Sequence, residues 1–385
     1  LIFDLGMPLM ESDGTEVDAS KTASPSIENG ILPDVEGLYR FQEPTVDAVF
    51  LSHAHIDHYG LMKFIHPKIP VYMSQGTDAL VKIGNAFYPT KTNIEKIHTF
   101  EQWKFVDIGQ IKIKPFLMDH SGPDASAFLI EADDKKIFYT GDFRGHGRKG
   151  KLLEGLKKAR ISDLDCLLME GTTLGGKHHV GFPTEDEVEN AMWEVFANQA
   201  DISFIMSAGS NVDRTVSIYR AALKARKTLV LDLYNYHLLS ELKKFHKSLP
   251  PHDGDNIRIL YLKGHCESLA ENLGSKFLYK YKSRKIEKEE IFAHRQRMVL
   301  RIPLSIMKRL ARSMAKEKPL DGANFIFSMW QGYLKKDPTY NEFAETYHIP
   351  MKNIHTSGHA YLEDLNRLVE ILKPKILIPI HTLHG

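Results

Sequence analysis

Cysteine is nearly absent from this chain: Cys166 and Cys266 are the only two in 385 residues, far apart and each inside an apolar stretch. Neither a disulfide framework nor a cysteine-ligated zinc site is therefore expected, and a reducing compartment, the cytoplasm, fits best. No apolar run approaches the ~20 residues that a helix needs to cross a bilayer, so no membrane association is expected. A dominant charge of one sign is missing too. With a formal net charge of +1, the whole molecule has no strong pull on polyanions, and any nucleic acid would have to be held by local patches. The chain also lacks an initiator Met and a signal pattern. It opens at Leu1-Ile2-Phe3-Asp4-Leu5-Gly6 as a strand already under way, so the natural start is expected to lie upstream.

What is present is an ordinary globular composition, 43% hydrophobic and 26% charged. The length suits two domains or one domain with a large insertion. Up to about residue 183 the pattern is strand-rich: a buried-type strand over 47–52, a loop over 53–60 with a helix opening at Leu61, an alternating strand over 111–118, and a hairpin of 127–131 with 136–140 across Asp133 and Asp134. The polar stretch 11–29 reads as a surface loop or a partly disordered segment. Thr184 followed by Glu187 is a capping-box signal that starts an amphipathic helix and changes the texture of the sequence. Beyond it strands and helices alternate, as in a parallel α/β domain. A helix over 362–372 and a closing strand over 375–380 end at His381. The expected segments are residues 1–183, an inserted domain over 184–350, and a return over 351–385.

The strongest local signal is His53-Ala54-His55-Ile56-Asp57-His58, directly after the apolar Val49-Phe50-Leu51. Imidazole nitrogens and carboxylate oxygens suit zinc, and a tight loop lets alternate side chains converge on one metal while the next pair faces another. A solvated His-rich turn is the bland alternative. Against it stand three distant residues, His120, Asp142 and His381, each just past an apolar strand, where an α/β scaffold presents ligands. His146, His178 and His179 lie near the motifs without a ligand pattern. Tyr279-Lys280-Tyr281-Lys282-Ser283-Arg284-Lys285 interleaves aromatic and basic side chains as single-strand grooves do, although the following Glu287, Glu289 and Glu290 favour a solvated helix face.

These residues resemble the metallo-β-lactamase superfamily, whose His-x-His-x-Asp-His signature stands here as His53 to His58. Met169-Glu170-Gly171-Thr172-Thr173, Thr356-Ser357-Gly358-His359-Ala360 and the 373–382 segment ending Pro379-Ile380-His381-Thr382 resemble motifs A, B and C of the β-CASP nucleases. His120-Ser121-Gly122-Pro123-Asp124 and Ser210-Asn211-Val212-Asp213-Arg214 are similar to segments of the ribonuclease J family in particular. Glu170 stands where that family carries Asp, and Met329-Trp330-Gln331-Gly332-Tyr333 is not its usual continuation after Phe327-Ser328.

The resemblance implies an α/β fold: a metallo-β-lactamase αββα sandwich carrying an inserted α/β β-CASP domain. It implies two zinc ions, with manganese or magnesium as substitutes, the first held by His53, His55 and His120 and the second by Asp57, His58 and His381, with Asp142 bridging. Asp4 matches a motif that supports the metal loops without binding metal. The implied activity is hydrolysis of RNA phosphodiester bonds by a bridging hydroxide that Asp57 orients, as an exonuclease, an endonuclease or both. His359 would neutralise the phosphorane or protonate the leaving oxygen, Glu170 would fix a histidine from outside the metal shell, and Ser357, Gly358 and His359 would hold substrate. Single-stranded RNA is the implied partner, with a homodimer left open. The alternatives are a DNA nuclease, a small-molecule ester or thioester hydrolase, and a non-catalytic RNA-binding β-CASP subunit.

Overall fold

The computed structural model describes residues 1–11, 15–88, 92–175, 181–250, 254 and 256–382. His178 and His179 lie outside the described residues. The chain divides into two compact units, one made of Leu1–Asn85, Thr90–His178 and Gly358–Gly385, the other of Ala86–Pro89 and His179–Ser357.

In the first unit, Val49 and Phe50 are successive residues of one strand and belong to different hydrophobic clusters, because side chains alternate across a sheet. Their strand is second in a four-stranded sheet whose members, Ile2–Phe3, Val49–Phe50, Val71–Met73 and Ile97–Thr99, all run parallel. The other sheet has six strands. Val106–Ile108, Ile111–Leu117, Ser126–Ala132 and Lys135–Tyr139 form an antiparallel meander, after which Cys166–Glu170 and Ile376–Ile380 join in parallel. Phe3 and Phe50 from one sheet meet Phe128 from the other at centroid separations of 5.3 and 5.7 Å. Each such ring contributes roughly 1.5–3 kcal/mol on burial. On the outer side of the six-stranded sheet, helix Leu152–Ala159 buries Leu153 and Leu156. Helix Leu362–Leu372 buries Leu365, Leu368 and Leu372 there, spaced as one helical face. This is the layered α/β sandwich that the motifs imply.

The second unit is built on a seven-stranded, wholly parallel sheet in the order Lys285–Ile286, Ile257–Leu260, Thr228–Asp232, Met298–Arg301, Ser203–Met206, Asn324–Phe327, Met351–Asn353. Strands of this kind are apolar throughout because helices cover both faces, and all four residues of Asn324–Phe327 are buried. The capping box is present: Thr184 Oγ1 accepts from Glu187 N at 3.2 Å, and Glu187 Oε2 accepts from Thr184 N at 3.1 Å. The returning segment was expected from residue 351. Met351–Asn353 instead pairs with Asn324–Phe327 as the last strand of this sheet, and the first unit resumes at Gly358.

Four local expectations need correction. The loop over 53–60 contains a one-turn helix, Ile56–Tyr59, and the helix expected from Leu61 is only a 3-10 turn, Met62–Phe64. Leu61, Met62 and Ile65 all enter the core, and the chain leaves the helical region at Ile65 (φ -58°, ψ 142°), two residues before Pro67, which disfavours helical backbone at His66. Residues 15–29 are more ordered than a surface loop: helix Ala19–Ala23 is capped by Asp18, and Asn29 Oδ1 accepts from Ser26 N and Ile31 N. The aromatic-basic run is solvated, as the following glutamates suggest, but as 3-10 turns rather than a helix face. It forms the 3-10 turns Ser275–Tyr279 and Lys282–Arg284, Tyr281 is buried beside His237, and Lys280 and Lys285 pair with Glu241 and Glu287. No helix among the described residues is long and apolar enough to cross a membrane.

Candidate metal centre

The six-residue signature turns sharply because His55 is the N-cap of helix Ile56–Tyr59. His53 and His55 lie on the extended approach, and Asp57 and His58 lie in the turn that follows. His55 makes no side-chain capping bond, which leaves its imidazole for the site. A second constraint comes from Gly6, where a Cβ would fall 1.5 Å from the carbonyl oxygen of Asp57. Only a glycine lets the first strand's exit pass so close to the turn.

Asp4, held at φ +60°, organises two of the rings. Its Oδ2 accepts from Ser52 Oγ at 2.6 Å and from Tyr139 OH at 2.5 Å, and lies 2.7 Å from His58 Nδ1. Ser52 Oγ, having given its proton to Asp4, can only accept from His53 Nδ1 at 3.0 Å. Both imidazoles therefore carry a proton on Nδ1 and turn Nε2 toward the same interior point. His120 follows the same rule, because its Nδ1 donates to Gly358 O at 2.7 Å. That leaves His120 Nε2 3.1 Å from His55 Nδ1. Burial pushes His53 and His120 well below the ordinary imidazole range, helped by the neighbouring rings, and pushes His55 down to about 4. Three neutral imidazoles thus face one another with lone pairs available.

Asp142 sits beyond them, 2% exposed, just past strand Lys135–Tyr139. Four imidazole nitrogens surround its carboxylate: His58 Nε2 at 3.2 Å, His359 Nδ1 at 3.5 Å, His381 Nδ1 at 3.6 Å and His53 Nε2 at 3.8 Å. Yet neither oxygen, nor His53 Nε2, nor His58 Nε2, makes a hydrogen bond among the described residues. A buried carboxylate without hydrogen bonds costs several kcal/mol unless positive charge stands beside it. Protons satisfy that demand in part. Burial alone would lower His58, but Asp142 and Asp4 outweigh it and hold the ring well above its usual range, while His58 and His359 overcome burial to keep Asp142 well below the carboxylate range. A divalent cation satisfies the demand more fully, since imidazole and carboxylate donors converge with their lone pairs inward. The donor atoms of His53, His55 and His120 form one group within 4.8 Å, and those of Asp57, His58, Asp142 and His381 form a second.

His381 follows the last strand at φ +53°. Its Nε2 lies 3.3 Å from Asp57 Oδ2 and its Nδ1 2.8 Å from Thr172 Oγ1. Thr172 Oγ1 also lies 3.2 Å from His359 Nδ1. Its importance was not read from the sequence, although a hydroxyl two positions after Glu170, past a strand end, was the available signal. Glu170 is buried, and Oε1 accepts from Phe143 N at 3.1 Å and Ala360 N at 3.2 Å, tying the Asp142 and His359 loops to one carboxylate. Its Oε2 lies 3.5 Å from His359 Nδ1. Burial would lower His359, but Asp142 and then Glu170 raise it to about 9. Gly358, expected to face substrate, gives its carbonyl to His120. Ser357 falls in the second unit, and His146 turns away to Asp364 at 2.9 Å.

Comparison with known proteins agrees with this geometry. Residues 29–196 match the beta-lactamase superfamily domain, and residues 347–384 match the Zn-dependent metallo-hydrolase RNA specificity domain. The chain is 22% identical to Ribonuclease J of Sinorhizobium meliloti, over 91% of this chain and 60% of that one. It is 22% identical to Ribonuclease J2 of Bacillus subtilis, over 91% and 61%. An RNase J-like protein of Methanocaldococcus jannaschii shares 32% identity over 37% of this chain and 35% of its own. A crystal structure of a protein of unknown function from Enterococcus faecalis superposes with a TM-score of 0.76 at 22% identity, covering 99% of this chain and 88% of the other. The fold and the two matched domains place residues 29–196 and 347–384 within the metallo-β-lactamase superfamily. Over most of its length the chain is similar to ribonuclease J proteins, and it spans about three fifths of the length of the curated relatives it matches.

Proposed function

We propose that this chain is a ribonuclease that hydrolyses phosphodiester bonds of single-stranded RNA with two zinc ions. His53, His55 and His120 would hold one, Asp57, His58 and His381 the other, and Asp142 both. The observation that carries the reading is the buried Asp142 carboxylate, ringed by four imidazoles and hydrogen-bonded to none of them. Zinc there would supply Lewis acidity, making water acidic enough to attack near neutral pH and offsetting charge on the phosphoryl oxygens.

The chain's own residues prepare the rest. Asp4, through His58 directly and His53 by way of Ser52, sets which ring nitrogen faces inward, so the ligands need no rearrangement to bind. Asp57, 21% exposed at the edge of the second cluster, can accept a proton as the nucleophile forms. Asp142 and then Glu170 raise His359 above its ordinary range, and 26% of its side chain is open to solvent. It is placed to neutralise developing charge on the phosphoryl group or to protonate the leaving oxygen. Glu170 keeps the His359 and Asp142 loops in register.

The test compares wild type with Asp57→Ala, measuring zinc per chain and cleavage of single-stranded RNA with 5′-monophosphate, triphosphate or hydroxyl ends, with matched DNA beside them. The expected result is zinc-dependent cleavage of RNA that Asp57→Ala abolishes. Zinc-loaded protein that cuts none of these RNAs would sink the assignment.

A further inference from the structure

The chain has three tryptophans. Trp103 packs edge-on against Phe116 at 4.8 Å, and Trp193 lies under the Lys224 ammonium at 3.6 Å. Trp330 is different, with 55% of its surface exposed. It stands just past strand Asn324–Phe327, at the carboxyl edge of the second unit's parallel sheet. That edge is where open α/β sheets present ligand sites.

The exposed ring is held in place. A Cβ at Gly332 would come within 2.2–2.5 Å of three carbons of the indole's six-membered ring, so the bare backbone at 332 is what allows the ring to lie against it. Tyr333 N donates to Trp330 O at 3.1 Å, and the Tyr333 ring meets the indole edge-on at 5.6 Å and 83° while itself 46% exposed. The loop is also pinned where it leaves the sheet. Ser328 N donates to Met206 O at 2.8 Å, and its hydroxyl donates to Ile354 O and accepts from Arg214 Nη1, both at 2.5 Å. Around this ledge the exposed neighbours are Gln331, Lys335 and Lys336, the last with its ammonium 6.0 Å from the indole centroid. Asp337, the next acid, spends its carboxylate on Thr339.

We propose that Trp330, with Tyr333, is a stacking platform for the bases of single-stranded RNA, the nearby lysines facing the sugar-phosphate backbone. A rigid open π face with a cationic, polar rim suits a nucleotide strand, which stacks on aromatics irrespective of sequence. A protein partner would instead meet its exposed aromatic within a patch depleted of charge. The proposal rests on the ribonuclease reading above and names residues for substrate binding that lie in the other unit from the metal ligands.

The experiment uses the metal-loaded chain and a fluorescein-labelled single-stranded RNA with phosphorothioate linkages, read by anisotropy. Trp330→Ala weakens binding by about five- to a hundred-fold, and Trp330→Phe keeps most of it. Gly332→Ala, which displaces the indole without removing it, behaves like Trp330→Ala. Hydrolysis of bis(4-nitrophenyl) phosphate, which reports on the metal centre without a strand to stack, stays unchanged in all three, as does the melting temperature. Loss of that hydrolysis in the unsubstituted protein would tell against the catalytic reading and leave the binding comparison intact. The proposal is overturned if RNA affinity stays within two-fold in both Trp330→Ala and Gly332→Ala, if the unsubstituted protein binds no single-stranded RNA, or if Trp330→Ala changes only the oligomeric mass.

Discussion

Asp4 Oδ2 lies 2.7 Å from His58 Nδ1, so a carboxylate just past the first strand decides which nitrogen of a distant imidazole faces the metal centre. Asp4→Asn puts a neutral amide in its place and weakens control of both His58 and, through Ser52, His53. Replacements of such outer partners cost about 10- to 100-fold in metal affinity or activity. Competition with a zinc chelator measures it, and unchanged affinity would show Asp4 to be a packing residue only.

Gly6→Ala should be severe, because the new methyl has only the Asp57 backbone to meet. Backbone cannot give way as a flexible side chain can, and the signature turn must shift. We expect loss of zinc from the second cluster with a lower melting temperature. A protein that binds as much zinc as wild type and melts with it would refute the close approach.

His359→Ala separates chemistry from metal holding. Zinc content should stay near wild type while turnover falls by about 10²–10⁴-fold, the usual weight of a positioned proton donor. Zinc and activity disappearing together would make His359 a structural residue instead.

Arg214 and Glu185 form a buried pair, with Nε to Oε1 at 2.8 Å and Nη2 to Oε2 at 3.2 Å. Glu185→Leu alone leaves an uncompensated guanidinium and should cost about 3–5 kcal/mol, whereas Glu185→Leu with Arg214→Met should recover most of that. Urea unfolding of the set decides. Additive losses would mean that the charges do not depend on each other.

His237 gives an acid-sensitive stability term far from the metal ligands in sequence. Burial pushes it down to about 4, against Glu241, which raises it, and Lys280 and Lys244, which lower it. The folded state keeps the ring neutral, donating to Tyr281 OH at 2.9 Å, while the unfolded state takes up a proton below about 6.5. The unfolded state therefore binds more protons between about pH 6.5 and 4, and stability from this group is full above that window and lost as pH falls through it. The full shift corresponds to about 3 kcal/mol. His237→Phe, facing Phe277 and Tyr281, should flatten this acid branch in urea titrations at pH ~4.5 and ~7. An unchanged slope would place the acid sensitivity elsewhere.

The clustering of the metal-site residues was legible because each candidate stands at a strand end with donor chemistry that few other roles require. His53 to His58, His120, Asp142 and His381 meet in space as their residue types suggested, and Glu170 ties together the loops beside them. What the sequence did not disclose depends on geometry between distant backbones. Gly6 looks like any turn glycine until Asp57 is placed against it. Gly358 reads as a place where backbone N–H could meet substrate, and only the fold shows that its carbonyl also serves His120. Thr172 is one of two adjacent threonines, and only the fold shows that its hydroxyl stands between two histidines. In the fold, Asn324–Phe327 and Leu362–Leu372 coincide with the sequence reading because their apolar spacing is unambiguous. Residues 279–285 are solvated as read except at Tyr281, which turns inward, and a pattern of alternating aromatic and basic residues does not reveal which tyrosine does so.

The strand Ile376–Ile380 pairs with Cys166–Glu170, and His381 follows it directly. As the polypeptide leaves the ribosome, the three-histidine cluster is complete in sequence once His120 has emerged. The second cluster waits until the whole intervening sheet has been made and the late strand has docked, a closure across a long span of chain. The second group therefore depends on a contact between residues far apart in the chain, and it forms only once Ile376–Ile380 has paired with Cys166–Glu170.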